Sequence, residues 1–235
     1  MTFPPDFLGL GLTDALALSF LLLGWLGLGY LIENPPKTQP SVSHLMMRYR
    51  REWMVEFVTR DPRIFDASII DSLRQGTSFF ASACMIAIGG GVALMGKTGQ
   101  FEGLAGDLAS FNGPTQVLQA KILVIILFLT NAVLKFVWSH RLFGYCAILM
   151  AAVPNNPDDP SAQARAAQAA EINIFAARSF NRGLRSVYFA LGALGWLFGP
   201  EALLVTTSTT LFVTWRREFA SNSRQVLFAG HKDTD

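Results

Sequence analysis

The chain has 235 residues, of which 51% are hydrophobic and 15% charged, with a formal net charge of +2. Its mean hydropathy is +0.35. A soluble domain carries about 25% charged residues, so an ordinary soluble domain is excluded and a membrane protein is indicated. No nucleic-acid partner is expected.

The apolar residues fall into four blocks, Ala15–Ile32, Thr77–Gly96, Ile122–Trp138 and Val187–Trp215, with nearly all ionisable residues between them. A helix needs roughly 20 apolar residues to cross about 30 Å of hydrocarbon. The blocks lack the alternation of barrel strands, which leaves helices as the spanning element. The expected fold is all-α, a polytopic membrane helical bundle in one domain over 1–235. The first block follows Asp6 and Asp14 rather than a basic stretch, and "ENPPKTQP" comes after it in place of a cleavage site. It therefore reads as a retained span, not a secretory signal.

After the first block, "SVSHLMMRYRREWMVEFVTR" sets Val42, Leu45, Met46, Tyr49, Trp53 and Phe57 at helical spacing. That helix either lies on the membrane surface or packs against the bundle ends. In "RDPRIFDASIIDSLRQ", Asp61 is the expected N-cap and Pro62 the first-turn residue of a helix running unbroken into the second block. The third block continues inward to Val153, where "PNNPDDP" makes a turn, and the Ala-rich "SAQARAAQAAEINIFAARSF" leads back as a helix.

The last block is too long for one span and carries Gly199, Pro200 and Glu201 at its middle, a helix stop followed by a helix start. Sixteen of the 19 Lys and Arg residues lie between the first two blocks, between the third and fourth, or after Trp215. The positive-inside rule then gives five spans, with the N-terminus outside and the C-terminus cytoplasmic; a single span over the last block gives four. Helical cytoplasmic segments are expected at about 40–75, 140–183 and 216–235, in a multi-pass protein of the plasma (inner) membrane.

The motifs "YRREWM", "RDPRIFDASIIDSLRQGTSFFASACMIAIGGG", "KFVWSHRLFGYCAILMAAVP", "LRSVYFALGALGWLFGPEAL" and "RREF" occur in that order. Over about Arg48 to Phe219 the chain resembles the domain-of-unknown-function family 599. The resemblance implies a multi-spanning helical membrane protein and carries no catalytic residues with it.

The chemistry-bearing candidates are few. Asn131, Lys135 and Ser139 share one face of the third span. Lys135 either reaches the inner interface by its stem or pairs with Asp66 or Asp71. The hydroxyl run Thr206–Thr210 covers more than a turn and reads as hydrogen-bonding glue, or as a polar path past Thr206, Thr210 and Asn131. Ala83, Ala87 and Gly91 form a small-residue seam for helix packing. Arg48, Arg50, Arg51, Arg182, Arg185, Arg216 and Arg217 are candidates for lipid headgroups. His44, His140 and His231 lie in different segments, no metal or catalytic set stands out, and no cofactor is expected. Cys84 and Cys146 are not expected to pair.

These observations favour a non-catalytic accessory or assembly subunit of a membrane complex, partnered by the bilayer and by another membrane protein or itself. A small channel or transporter is the alternative. An enzyme would have to draw on Asp66, Asp71, His140 and Arg141.

Overall fold

In a computed structural model of the chain, residues 10–96 and 115–232 are described, with side chains as far as residue 229. Seven α-helices follow in order among the described residues: α1 (Leu12–Glu33), α2 (Val42–Thr59), α3 (Ile64–Gly96), α4 (Thr115–Ala151), α5 (Ala162–Ala193), α6 (Pro200–Phe219) and α7 (Asn222–Lys232). Three of them, α1, α3 and α4, are long and apolar enough to cross a membrane, with mean hydropathies of 2.1, 1.9 and 2.2. At 1.5 Å per residue, α3 and α4 run roughly 50 Å and 55 Å, well beyond the ~30 Å of a hydrocarbon core. The expected unbroken passage into the second and third apolar blocks is thus present.

The helix ends follow local chemistry. Ser41 caps α2, its Oγ accepting the His44 N–H at 3.1 Å and donating to Ile32 O at 2.8 Å. The start of α3 corrects the sequence reading, for it lies at Ile64, beyond Asp61 and Pro62. Arg63 O accepts the first intrahelical bond, from Ala67 N–H at 3.2 Å. The Arg63 guanidinium is tied to Val58 O, Val153 O and Pro154 O, which fastens the preceding turn outside the helix. Asp66, not Asp61, supplies the negative charge of the first turn.

Before α5, Asp159 accepts both the N–H and the hydroxyl of Ser161, at 2.8 Å and 2.6 Å. These bonds hold the Asp159 carboxyl below its ordinary pKa. The expected break at Gly199 is also present. α5 tightens into a 3-10 turn over Leu194–Phe198, Gly199 adopts φ +120°, and Pro200 opens α6.

The chain forms two compact units. Unit 1 comprises Met1–Leu31, Ala83–Ala132 and Leu184–Arg216. It buries Ala17, Leu21, Phe128, Phe189, Trp196 and Leu203. Phe128 meets Trp25 edge-on at 5.2 Å and stacks with Phe189 at 6.3 Å. Trp196 donates its indole N–H to Asp14 at 2.6 Å, and the Lys121 ammonium stands 5.7 Å above the same ring.

Unit 2 comprises Ile32–Ser82, Val133–Gly183 and Arg217–Asp235. Its core joins Met54, Phe57 and Val58 of α2 to Ile70, Phe143, Cys146 and Met150. Ala162, Ala166, Ala169 and Ala170 of α5 pack into the same cluster, their small side chains allowing close approach. The apolar side of α2 is thus packed against the other helices of unit 2. Glu218 fastens it further, accepting the N–H and hydroxyl of Ser43, both at 3.0 Å.

Candidate functional site

The polar face of α4 is spent on bonds to α5. Asn131 Nδ2 donates to Ser186 Oγ at 2.6 Å, Ser139 Oγ donates to Ala176 O at 2.7 Å, and Ser179 Oγ donates to Lys135 O at 2.9 Å. Pairing of Lys135 with an acid of α3 is not seen. Asp66 Oδ1 is taken by Trp53 Nε1 at 2.6 Å and by the Arg60 guanidinium, while Asp71 accepts from Gln75 at 2.7 Å. His140 Nδ1 lies 3.1 Å from Thr77 Oγ1, and Arg141 donates to the Tyr145 hydroxyl at 3.1 Å. Asp66, His140 and Arg141 thus bond to different partners and form no acid–base set. His44 is exposed, and the His231 side chain lies outside the described residues.

The hydroxyl run has a complement that the sequence reading did not connect with it. Thr206 Oγ1 donates across to Gly192 O at 2.7 Å, and Thr210 Oγ1 turns back to Thr206 O at 2.8 Å. Ser208 and Thr209 bond the carbonyls one turn earlier, those of Leu204 and Val205. Gly192 and Gly195 form the matching notch: a Cβ at Gly192 would stand 2.9 Å from Thr210 Oγ1, and one at Gly195 2.9 Å from Ala202 O. Thr207 is fully buried, and its hydroxyl has no partner among the described residues.

Of the small-residue seam on α3, Gly91 rests against Ile126, where an added Cβ would come within 3.1 Å. Ala83 and Ala87 are exposed. Only 11% of the apolar window of α3 is buried, against 33% for α4, so α3 is the least covered of the three spanning candidates. Gly91, Ile122, Ile126 and Leu194 line an apolar groove of about 490 Å³ in unit 1.

The arginines chosen as headgroup candidates are mostly engaged within the protein. Arg48 pairs with Glu52 and Arg51 with Glu171, each at 2.6 Å, and Arg182 pairs with Glu33. The bond to Glu33 raises the Arg182 pKa. Arg50 donates to Asn173 Oδ1 and is lowered by burial. Arg185 is buried, whereas Arg216 and Arg217 are exposed.

Two arginines outside that set line a cleft of about 380 Å³ in unit 2. Arg63, beyond its three carbonyl bonds, stacks on Phe57 with its guanidinium carbon 4.5 Å from the ring centre. Arg74 differs: its Nε is buried without a partner, and no acid pairs with it among the described residues. Phe57, Ile70, Ala147 and Met150 make the apolar floor, and the exposed Ala67, Asp71, Ala151 and Asn155 stand at the rim. The sequence signal was there to be used. Arg63, Ala67, Ile70, Asp71 and Arg74 recur at offsets of 4, 7, 8 and 11, one face of a helix by period alone.

Residues 16–223 match the family described as protein of unknown function, DUF599. The chain belongs to that family. The resemblance noted from its motifs is thereby shown, and the DUF599 match spans every element from α1 into the start of α7. No curated protein and no solved structure matches this DUF599 chain.

Proposed function

We propose that this DUF599 protein is a five-span protein of the plasma (inner) membrane, a non-catalytic accessory subunit that joins a membrane assembly through helix packing. The spans are α1, α3, α4, α5 and α6, with the N-terminus outside and the C-terminus in the cytoplasm. The break at Gly199 and the one-sided distribution of Lys and Arg support that topology. Lipid provides no hydrophobic drive between helices, so close packing and interhelical hydrogen bonds must hold them together.

The observation that carries the subunit reading is where the polar groups of the apolar helices go. Asn131 bonds Ser186 and Thr206 bonds Gly192, inside the fold. A transport path would need those same groups free for water or cargo. The uncovered face of α3, with Ala83 and Ala87 exposed, is where a transmembrane helix of another chain would pack.

Extraction into native nanodiscs followed by mass measurement tests the reading. A second membrane chain at fixed stoichiometry, lost in Ala83→Trp and retained in Leu123→Trp, is the expected result. A monomer that carries ion or solute flux into liposomes, abolished by Asn131→Leu, would overturn it. For topology, a cysteine at Ser223 should resist a membrane-impermeant maleimide added outside the cell; labelling there refutes five spans.

A further inference from the structure

We propose that the Arg63–Arg74 cleft of unit 2 binds the phosphate group of a small phosphate monoester, with its apolar portion resting on Phe57, Ile70 and Met150. The inference stands apart from the assembly reading, since it uses only side chains of α2, α3, α4 and the adjoining turns.

Four observations carry it. The first is unspent charge. Arg48, Arg51, Arg60 and Arg182 each face a carboxylate within the protein, whereas the guanidinium of Arg74 faces none among the described residues. Its Nε is also shut away from solvent without a hydrogen bond, a desolvation cost that no group among the described residues offsets. The second is the neighbour. Arg63 is fixed by three carbonyls and by the Phe57 ring, which uses three of its five N–H donors and leaves the others for a ligand.

The third is balance. Asp71, the acid of the cleft, already accepts from Gln75, and two arginines against one aspartate leave the cleft net positive. Two planar guanidinium forks suit the several oxygens of a dianionic phosphate better than a single carboxylate does. The fourth is size and lining. About 380 Å³ lies within the range for small-molecule sites, and an apolar floor beside the two arginines matches an ester with a hydrocarbon part. Asp71, Ala67 and Asn155 are exposed, so the cleft is reachable.

A phosphate monoester comes from solution or from a lipid such as phosphatidic acid, and two arms separate these sources. In the first, the full chain in phosphatidylcholine nanodiscs is dialysed to equilibrium against labelled glycerol 3-phosphate, with inorganic phosphate as competitor. In the second, the chain is extracted from phosphatidylcholine vesicles containing phosphatidic acid, and retained lipid is read by native mass spectrometry. One equivalent bound in the first arm assigns a soluble ester; retention of phosphatidic acid alone assigns the lipid.

In either case Arg74→Ala should weaken binding about 10- to 100-fold, the usual worth of a charged hydrogen-bond partner. Arg74→Lys, which keeps charge and loses the fork, should fall between. Because the Arg74 side chain makes no hydrogen bond or ion pair among the described residues, Arg74→Ala should fold and melt as the parent does without ligand. Absence of binding in both arms, or unchanged binding in Arg74→Ala, overturns the proposal.

Discussion

Gly195→Ala would add one methyl group where α5 turns over toward α6. The new Cβ would stand 2.8 Å from Thr206 Cγ2 and 2.9 Å from Ala202 O, and closer still to Thr206 Oγ1. A flexible side-chain tip can retreat, but Ala202 O is backbone of α6, so relief requires the helix itself to shift. That shift pulls Thr206 away from Gly192 O, at present 2.7 Å distant. Overpacking of this kind costs about 1–3 kcal/mol. Losing an interhelical hydrogen bond in a bundle adds roughly 0.6–2 kcal/mol. A destabilisation of about 2–5 kcal/mol follows, readable from reversible unfolding in mixed micelles. Gly89→Ala, where an added Cβ meets nothing within 4 Å, is the matched control and should lie within about 1 kcal/mol of the parent. Thr206→Ser removes the Cγ2 contact and should recover part of the loss in the double variant, a coupling typical of touching residues. If Gly195→Ala matches Gly89→Ala, or adds to Thr206→Ser without coupling, the notch argument fails.

Two further outcomes follow from unit 2. Asp66→Asn keeps size but removes the charge that faces Arg60 and weakens the acceptor of Trp53, so unfolding should be easier by roughly 2–4 kcal/mol, with a change in the Trp53 emission. The Asp159 carboxyl, lowered first by its side-chain bond from Ser161, contributes stability above its unfolded pKa of about 3.9. That contribution is lost as pH falls through the lower folded value, so Ser161 amide protection should drop only in that acid window and be missing in Asp159→Ala at every pH.

Local signals in the sequence carried most of the architecture. Gly199 followed by Pro200 stops and restarts a helix by backbone preference alone, and the break lies where those residues put it. The apolar runs of α1, α3 and α4 needed only length and hydropathy. The start of α3 was misplaced because Asp61 and Pro62 are good first-turn residues by propensity. What excludes them is tertiary: Arg63 anchored to Val153 O and Pro154 O, some 90 residues away. The same reason hid the site geometry. Asn131 was visible as polar within an apolar helix, but Ser186 as its partner was not. Thr206 drew notice as a hydroxyl, while Gly192 looked like one glycine among 20.

The arginines separate two roles that composition merges. The positive-inside rule counts a charge between spans whether or not it is paired, so Arg48, Arg51 and Arg182 enter the proposed topology despite their partners. Binding an external anion is a stricter demand, because a guanidinium already facing Glu52, Glu171 or Glu33 would have to surrender that partner first. Density of charge along the chain therefore points to orientation, and lack of an internal partner points to a ligand. Arg74 of α3, which lines the same cleft as Arg63, meets the second criterion among the described residues, although nothing in its local sequence distinguishes it from the paired ones. A search for binding residues in a chain of this kind does better to ask which cations the fold leaves uncompensated than which segments are most basic.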